Sequence, residues 1–350
     1  MKKLFALLIF LGTVNPAIAQ LPEINTQIFA DIYYGYDAAR PAIHERPGFI
    51  FNHKRHNEVN LNLGLIKFST ENEHYRANIG LMAGNYAQYN LAHEPILLRH
   101  VFEANAGVKL YDNLWLDAGI LPSYMGFESA ISSENLTLTR SLAAENSPYY
   151  ISGASLSWKP DTSLTLAVYL MNGWQRIQRI PGNQRPHFGT QVTYSPSDKF
   201  TLNWSTFLGS DHPDDYERLR IFNNFYGIWS PTKKLSLIGG LDIGHEKILD
   251  EYFRWFTPVV IGQYKLSQTL ATAIRAEYFH DRSNIIIDKP AGVNMVGLSI
   301  NIDYHISETV LARLEGRNFY NTDPVFAFEE DRRDNYFMAT ASLAVNINKK

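Results

Sequence analysis

The chain has 350 residues, 45% of them hydrophobic and 13% aromatic, and no cysteine. Its charges nearly cancel, to −3, which argues against a nucleic-acid partner, and the missing cysteines rule out both a disulfide framework and a lipid carried on cysteine. Mean hydropathy is −0.22, so apolar side chains are spread thinly and helical membrane spans are not expected.

In chain order, Lys2 and Lys3 precede an apolar run over 4–12 and the small-residue pattern Ala17-Ile18-Ala19. This predicts a secretory signal peptide over 1–19 and a mature chain over 20–350. Past it, a period of two takes over. Val59, Leu61, Leu63 and Leu65 alternate with Asn60, Asn62, Gly64 and Ile66, and Phe102, Ala104, Ala106, Val108 and Leu110 alternate with Glu103, Asn105, Gly107 and Lys109. The same pattern runs through 114–120, 164–170, 200–206, 235–243 and 337–347. These are strands with one apolar face and one wet face, and no segment has a helical period.

Two kinds of connection take turns. Seven short polar turns are predicted at 70–73, 111–113, 159–163, 195–199, 230–234, 267–268 and 305–308. Eight longer charged stretches are predicted at 38–57, 86–99, 122–148, 175–187, 210–220, 246–253, 281–292 and 320–334. Fifteen connections join sixteen strands, with both termini on the short-turn side. Asn223-Asn224 and Pro258 blur the tenth and twelfth strands, and one miscounted hairpin would give fourteen or eighteen.

Strands of about 10 to 13 residues are too long for a sandwich and long enough to cross a bilayer. Their second face carries Arg76, Lys109, Asp117, Arg275, Glu277, Arg313, Glu315 and Arg317, which needs water. Lipid offers backbone groups no hydrogen bonds, so such a sheet must close on itself. The expected fold is an all-β, antiparallel, up-and-down transmembrane barrel with a wet interior, short periplasmic turns and long extracellular loops. Aromatic residues gather near predicted strand ends, as two headgroup belts would require. On the short-turn side they are Phe68, Tyr75, Tyr111, Trp115, Trp158, Tyr194, Phe200, Trp229, Tyr264 and Tyr304; on the loop side Tyr34, Tyr86, Tyr150, Trp174, Phe222, Trp255, Tyr278 and Phe337.

Residues 115–178 hold four pieces in order: Gly126-Phe127-Glu128-Ser129, Thr139-Arg140-Ser141, Ser147-Pro148-Tyr149-Tyr150 and Asn172-Gly173-Trp174-Gln175. Together they resemble the beta-barrel porin-2 (OmpL-like) family of Gram-negative outer membranes, and the strand-and-loop layout extends the likeness over most of the mature chain. The resemblance implies an outer-membrane channel. One departure is the C-terminus, Asn346-Ile347-Asn348-Lys349-Lys350, where many outer-membrane barrels end on an aromatic residue.

A barrel of this width leaves an aqueous lumen that something must narrow. The longest loop, 122–148, carries Glu128, Glu134, Arg140 and Glu145 and is the candidate constriction, by analogy with the inward third loop of general porins; the alternative is a loop lying over the rim. The wall arginines either face the loop carboxylates, setting a transverse field, or pair with neighbouring glutamates to brace the wall. His44, His53 and His56 in the first loop match no metal-ligand spacing, and no catalytic motif or cofactor-binding glycine loop is present, so no catalytic residue, metal or cofactor is expected. The leading expectation is passive diffusion of small hydrophilic solutes or ions. A surface-adhesion barrel acting through its loops, or a membrane hydrolase assembled from scattered wall residues, are the alternatives. Expected partners are outer-membrane lipid and the solutes themselves, with a homotrimer by analogy.

Overall fold

The computed structural model describes residues 23–287, 289, 292–328 and 331–349, so the expected signal peptide lies outside the described residues. Its strands are β1 (Asn25–Asp37), β2 (Val59–Glu71), β3 (Tyr75–Ala83), β4 (Val101–Tyr111), β5 (Leu114–Pro122), β6 (Tyr150–Trp158), β7 (Leu164–Met171), β8 (His187–Ser197) and β9 (Phe200–Gly209). They continue as β10 (Leu219–Trp229), β11 (Leu235–Ile248), β12 (Glu251–Lys265), β13 (Leu270–Asp281), β14 (Val293–His305), β15 (Val310–Asn321), a small hairpin β16 (Phe326–Phe328) and β17 (Asp331–Arg333), and β18 (Asn335–Lys349). β1 to β15 and then β18 close into one antiparallel barrel of sixteen strands. The seam joins the chain's two ends: β1 pairs with β18 from Thr26↔Lys349 to Asp37↔Met338.

The strand count and the alternation of turns and loops agree with the sequence pattern, with one exception. The stretch 246–253 is no loop, because β11 runs to Ile248 and β12 starts at Glu251, leaving Leu249 and Asp250 as a two-residue turn. Its charges misled because Glu246 points inward and meets Arg220 at 2.7 Å, which lets the strands continue. The blurred tenth strand is continuous, and the twelfth absorbs Pro258 by omitting the two ladder positions at Thr257 and Pro258 on its β13 side.

The ladders of the described residues shift register at four places, and two of these shifts change which face the predicted apolar residues take. The β1–β2 register shifts between Asp31 and Ile32, so Leu63 and Leu65 turn inward and are fully buried while Ile66 faces out. A one-residue insertion flips every later side chain, which is why a single period of two assigned these leucines to lipid. Gly84 fits here because it holds φ +114° and any Cβ would lie 2.7 Å from the Asn62 carbonyl oxygen. A second shift, between Gly80 and Leu81, turns Phe102 inward over Gly80.

The short-turn belt is present: Phe68, Tyr75, Tyr111, Trp158, Tyr194, Trp229, Tyr264 and Tyr304 are exposed on the outer surface. Trp115 instead shares the inward face of β5 with Asp117 and lies under Arg76. The loop-side belt is largely overturned. Tyr86, Tyr150, Phe222 and Trp255 are buried, and Trp174 packs with Phe207 and Phe222 inside the barrel. Phe207, Phe222, Trp255, Phe279, Phe319 and Tyr336, from successive parts of the wall, form an aromatic collar at the loop end. Aromatics at strand ends serve either surface, and parity along the strand decides which.

The chain has no native cysteine, so single cysteines can report on the β2 bulge. Ile66→Cys should react with a lipid-phase maleimide in the refolded barrel and Leu65→Cys should be protected; equal reactivity would remove the bulge assignment.

Candidate functional site: the lumen and its two internal loops

The loop between β5 and β6, residues 123–149, lies across the lumen and is tied down along its length. It contains a short helix α1 (Leu142–Glu145) capped by Ser141, whose side chain accepts from the Ala144 N–H. Its backbone is zipped to polar and charged wall residues. The Thr139 N–H donates to Glu315 Oε2 at 2.6 Å, the Leu142 N–H to Glu277 Oε2 at 2.6 Å and the Leu138 N–H to Asn301 Oδ1 at 3.1 Å. Wall arginines complete the zip from the other side: Arg275 donates to the Thr139 carbonyl at 2.6 Å, Arg317 to that of Arg140 at 2.8 Å, and Arg313 to those of Ser132 and Asn135. An irregular loop has no ladder of its own, so buried charges on β13 to β15 satisfy its peptide groups.

The same arginines are neutralised by neighbours. Arg275 lies 2.7 Å from Glu315 and 3.4 Å from Glu277, Arg317 lies 2.5 Å from Glu277, and Arg313 makes a two-pronged contact with Asp303 at 2.7 and 3.0 Å. All are buried. The arrangement is the bracing one: charge is cancelled within the wall, and no open gap separates arginines from loop carboxylates. Glu128 supports the loop itself, accepting from the Ser141 N–H and hydroxyl, with Arg275 3.9 Å away.

Along β2 to β5 the lumen is wetter. Arg76 on β3 grips Asp117 at 2.5 and 2.6 Å and covers the Trp115 ring, Lys109 is half-buried on the inward row of β4, and Lys67 meets Glu103 at 2.5 Å. A cavity of about 280 Å³ opens here, lined by Lys67, Tyr86, Glu103, Glu128, Arg140 and Tyr149 among others; the exposed Glu134 is on its rim. A second cavity of about 280 Å³ lies toward the loop end, lined by Phe51, Tyr89, Glu145, Trp174, Arg176 and Arg220. Consecutive loop residues stand between them, for 145–147 line the second and 148–149 the first.

A second internal element went unread in the sequence. The loop after β1 carries Phe49, Ile50, Asn52, His53 and Lys54 into the barrel mouth, all buried. It meets the other loop where Glu145 Oε2 accepts from the Phe51 N–H at 2.8 Å and Asn52 donates to the Tyr149 hydroxyl at 2.6 Å. Asp31 on β1 binds both loops, with Oδ2 accepting from His53 Nε2 at 2.9 Å and the Ser132 hydroxyl at 2.8 Å. The available signal was the apolar run Phe49-Ile50-Phe51 inside an otherwise polar loop. His44 and His56 take backbone hydrogen bonds, with Asp37 N–H donating to His56 Nδ1. Among the described residues no three His, Cys, Asp or Glu form a cation cage. Burial raises the Glu145 carboxyl above its usual range and lowers the Lys54 ammonium to about 8, the latter against the attraction of Glu45 and Glu145.

A closed sixteen-stranded barrel, a lumen lined by charge and a loop laid across it define a class of protein, and comparison places the chain within it. The family model for putative beta-barrel porin-2, OmpL-like, matches residues 23–347. This chain belongs to that family. It is an outer-membrane porin, a barrel whose lumen passes solutes by diffusion. No curated protein matches it. Among solved structures, the porin resembles an anion-selective porin from Comamonas acidovorans, with a TM-score of 0.61 at 6% identity over 93% of this chain and 99% of that one. It also resembles the outer membrane channel DcaP of Acinetobacter baumannii, with a TM-score of 0.60 at 10% identity over 93% and 96%. The trimer form of OmpT, an outer membrane protein of Vibrio cholerae, gives a TM-score of 0.59 at 7% identity over 93% and 98%. At such identities the likeness is one of fold.

Two outcomes follow from the packing. Arg275→Met leaves Glu315 charged and buried and should cost about 3–5 kcal/mol in urea unfolding of the vesicle-embedded porin, whereas Arg275→Met with Glu315→Met should cost less; additive losses would contradict the pairing. The Lys54 ammonium falls from an ordinary value of 10.5 to about 8 on folding, so stability should rise with pH between 8 and 10.5. In Lys54→Met that rise should disappear from the thermal midpoints.

Proposed function

We propose that solutes cross this porin passively through the part of the lumen that residues 123–149 leave open, on the side of β1 to β5, and that no chemical step is involved. The observation that carries this reading is the asymmetry of the zip. The loop is bonded to Glu277, Asn301, Arg313, Glu315 and Arg317 on β13 to β15, while a cavity remains beside Lys67 on β2 and Glu103 on β4. Glu128, Glu134, Arg140 and Glu145 then belong to the element that sets the bore, and Arg76, Lys109 and Asp117 to the wetted wall. The paired arginines Arg275, Arg313 and Arg317 hold the loop rather than touch the solute. Small hydrophilic solutes fit a path bordered by polar and charged side chains. Export by the N-terminal signal segment to the outer membrane of a Gram-negative cell accords with the family. A homotrimer is proposed by analogy with the trimer form of the Vibrio protein.

Planar-bilayer recording tests the path. The wild-type porin should show steady conductance, and replacing residues 128–145 by a short Gly-Ser linker should raise it several-fold. A wild-type barrel that never conducts would end the diffusion reading; unchanged conductance in the shortened variant would remove the loop from the bore.

A further inference from the structure

Arg140, unlike the arginines that hold this loop from the wall, has no carboxylate within ion-pair distance among the described residues. Arg275, Arg313 and Arg317 each sit within 3 Å of one, and Arg76 and Arg220 likewise. The Arg140 guanidinium makes a single hydrogen bond, to the neutral Glu128 carbonyl at 3.0 Å, and stacks 3.9 Å above the Tyr149 ring. Its Nε and Nη1 are buried with no hydrogen-bond partner, although the residue as a whole is only 6% exposed. A guanidinium withdrawn from water and left unpaired is costly, and its planar fork suits a carboxylate.

The residue lines the 280 Å³ cavity, and the acids around it are engaged or remote from the interior. Glu103 is paired with Lys67, Glu128 is spent on the Ser141 N–H and hydroxyl, and Glu134 is solvent-exposed, where its charge is screened. Glu145 attracts Arg140 without forming an ion pair with it, for it lines the other cavity and its Oε2 accepts from the Phe51 N–H, Asn52 and the Tyr149 hydroxyl. Tyr86, on the same lining and edge-on to Tyr149 at 5.4 Å, makes no side-chain hydrogen bond among the described residues. From these observations we propose that the cavity is a binding site for a small organic carboxylate in transit, its carboxylate held by Arg140 with the Tyr86 hydroxyl as a second donor. Arg140 reaches it by a small turn of its side chain off the Tyr149 ring. The assignment rests on the lumen being the solute path and names one class of solute that path retains.

The test uses the full chain refolded in detergent micelles, with succinate, its neutral analogue succinamide and inorganic phosphate as probes at constant ionic strength. Calorimetry should detect succinate but not succinamide on the wild type. Arg140→Gln should weaken succinate binding about tenfold or more, the loss of a charge-assisted pair. Tyr86→Phe, which keeps the ring, should weaken it a few-fold and decides the question should Arg140→Gln fail to refold. Equal binding of succinate and succinamide, wild-type affinity in either variant, or a preference for phosphate would overturn the proposal. Conductance recorded on the same preparations separates the two readings. A conducting porin that ignores succinate overturns this site alone, and a non-conducting one that binds it overturns the diffusion path and the transit with it, leaving a carboxylate site in a closed barrel.

Discussion

Everything in this barrel depends on where backbone N–H and C=O groups find partners. Hydrocarbon supplies none, so the strands must pair all the way round, and the last link is made by the chain's own ends, β1 against β18. Closure creates an interior sealed from lipid, and that interior then becomes the only cheap location for arginine, glutamate and aspartate in mid-membrane. The same demand recurs one level in. A 27-residue irregular loop drawn into the lumen brings unpaired peptide groups, and the charged side chains of β13 to β15 meet them.

This double use of charge explains the division of the lumen. On one side Arg275, Glu277, Glu315 and Arg317 form a closed network in which each ion is balanced by an opposite ion and by loop backbone, so the wall there is rigid and dry. On the other side Lys67, Arg76 and Lys109 retain access to water. Asp31, the Phe51–Glu145 bond and the Asn52–Tyr149 bond lock the loop after β1 to the loop after β5, so the bore is shaped by two chain segments that brace each other. Position and selectivity are thereby separated: the charges that hold the loop are distinct from those left facing the cavity.

The strand pattern was readable because lipid outside and polar contents inside impose a period of two that survives over ten or more residues. The count of sixteen and the alternating turns came from that period, and the family pieces between Gly126 and Gln175 agreed with it. Errors arose where one residue changed the phase. Leu63, Leu65 and Phe102 crossed to the inner face at bulges, and the stretch 246–253 looked like a loop although its charges merely continue the inward row of β11 and β12. Tyr86, Phe222 and Trp255 sit near strand ends yet point inward, because strand-end position does not record which way a ring points.

By itself, then, the sequence determined the architecture, since solvation of each strand face is a local property written in alternate residues. It also marked the polar residues that belong inside. Which of them pair, and which of them a solute can meet, was decided only by tertiary structure. Glu315 finds Thr139 across 176 positions and Glu277 finds Leu142 across 135, contacts that no spacing encodes. Folding the loop inward paired Arg275, Arg313 and Arg317 and left Arg140 without an ion pair among the described residues, a distinction that depends on three-dimensional proximity because ion pairing falls off within a few ångströms while the chain separation is large.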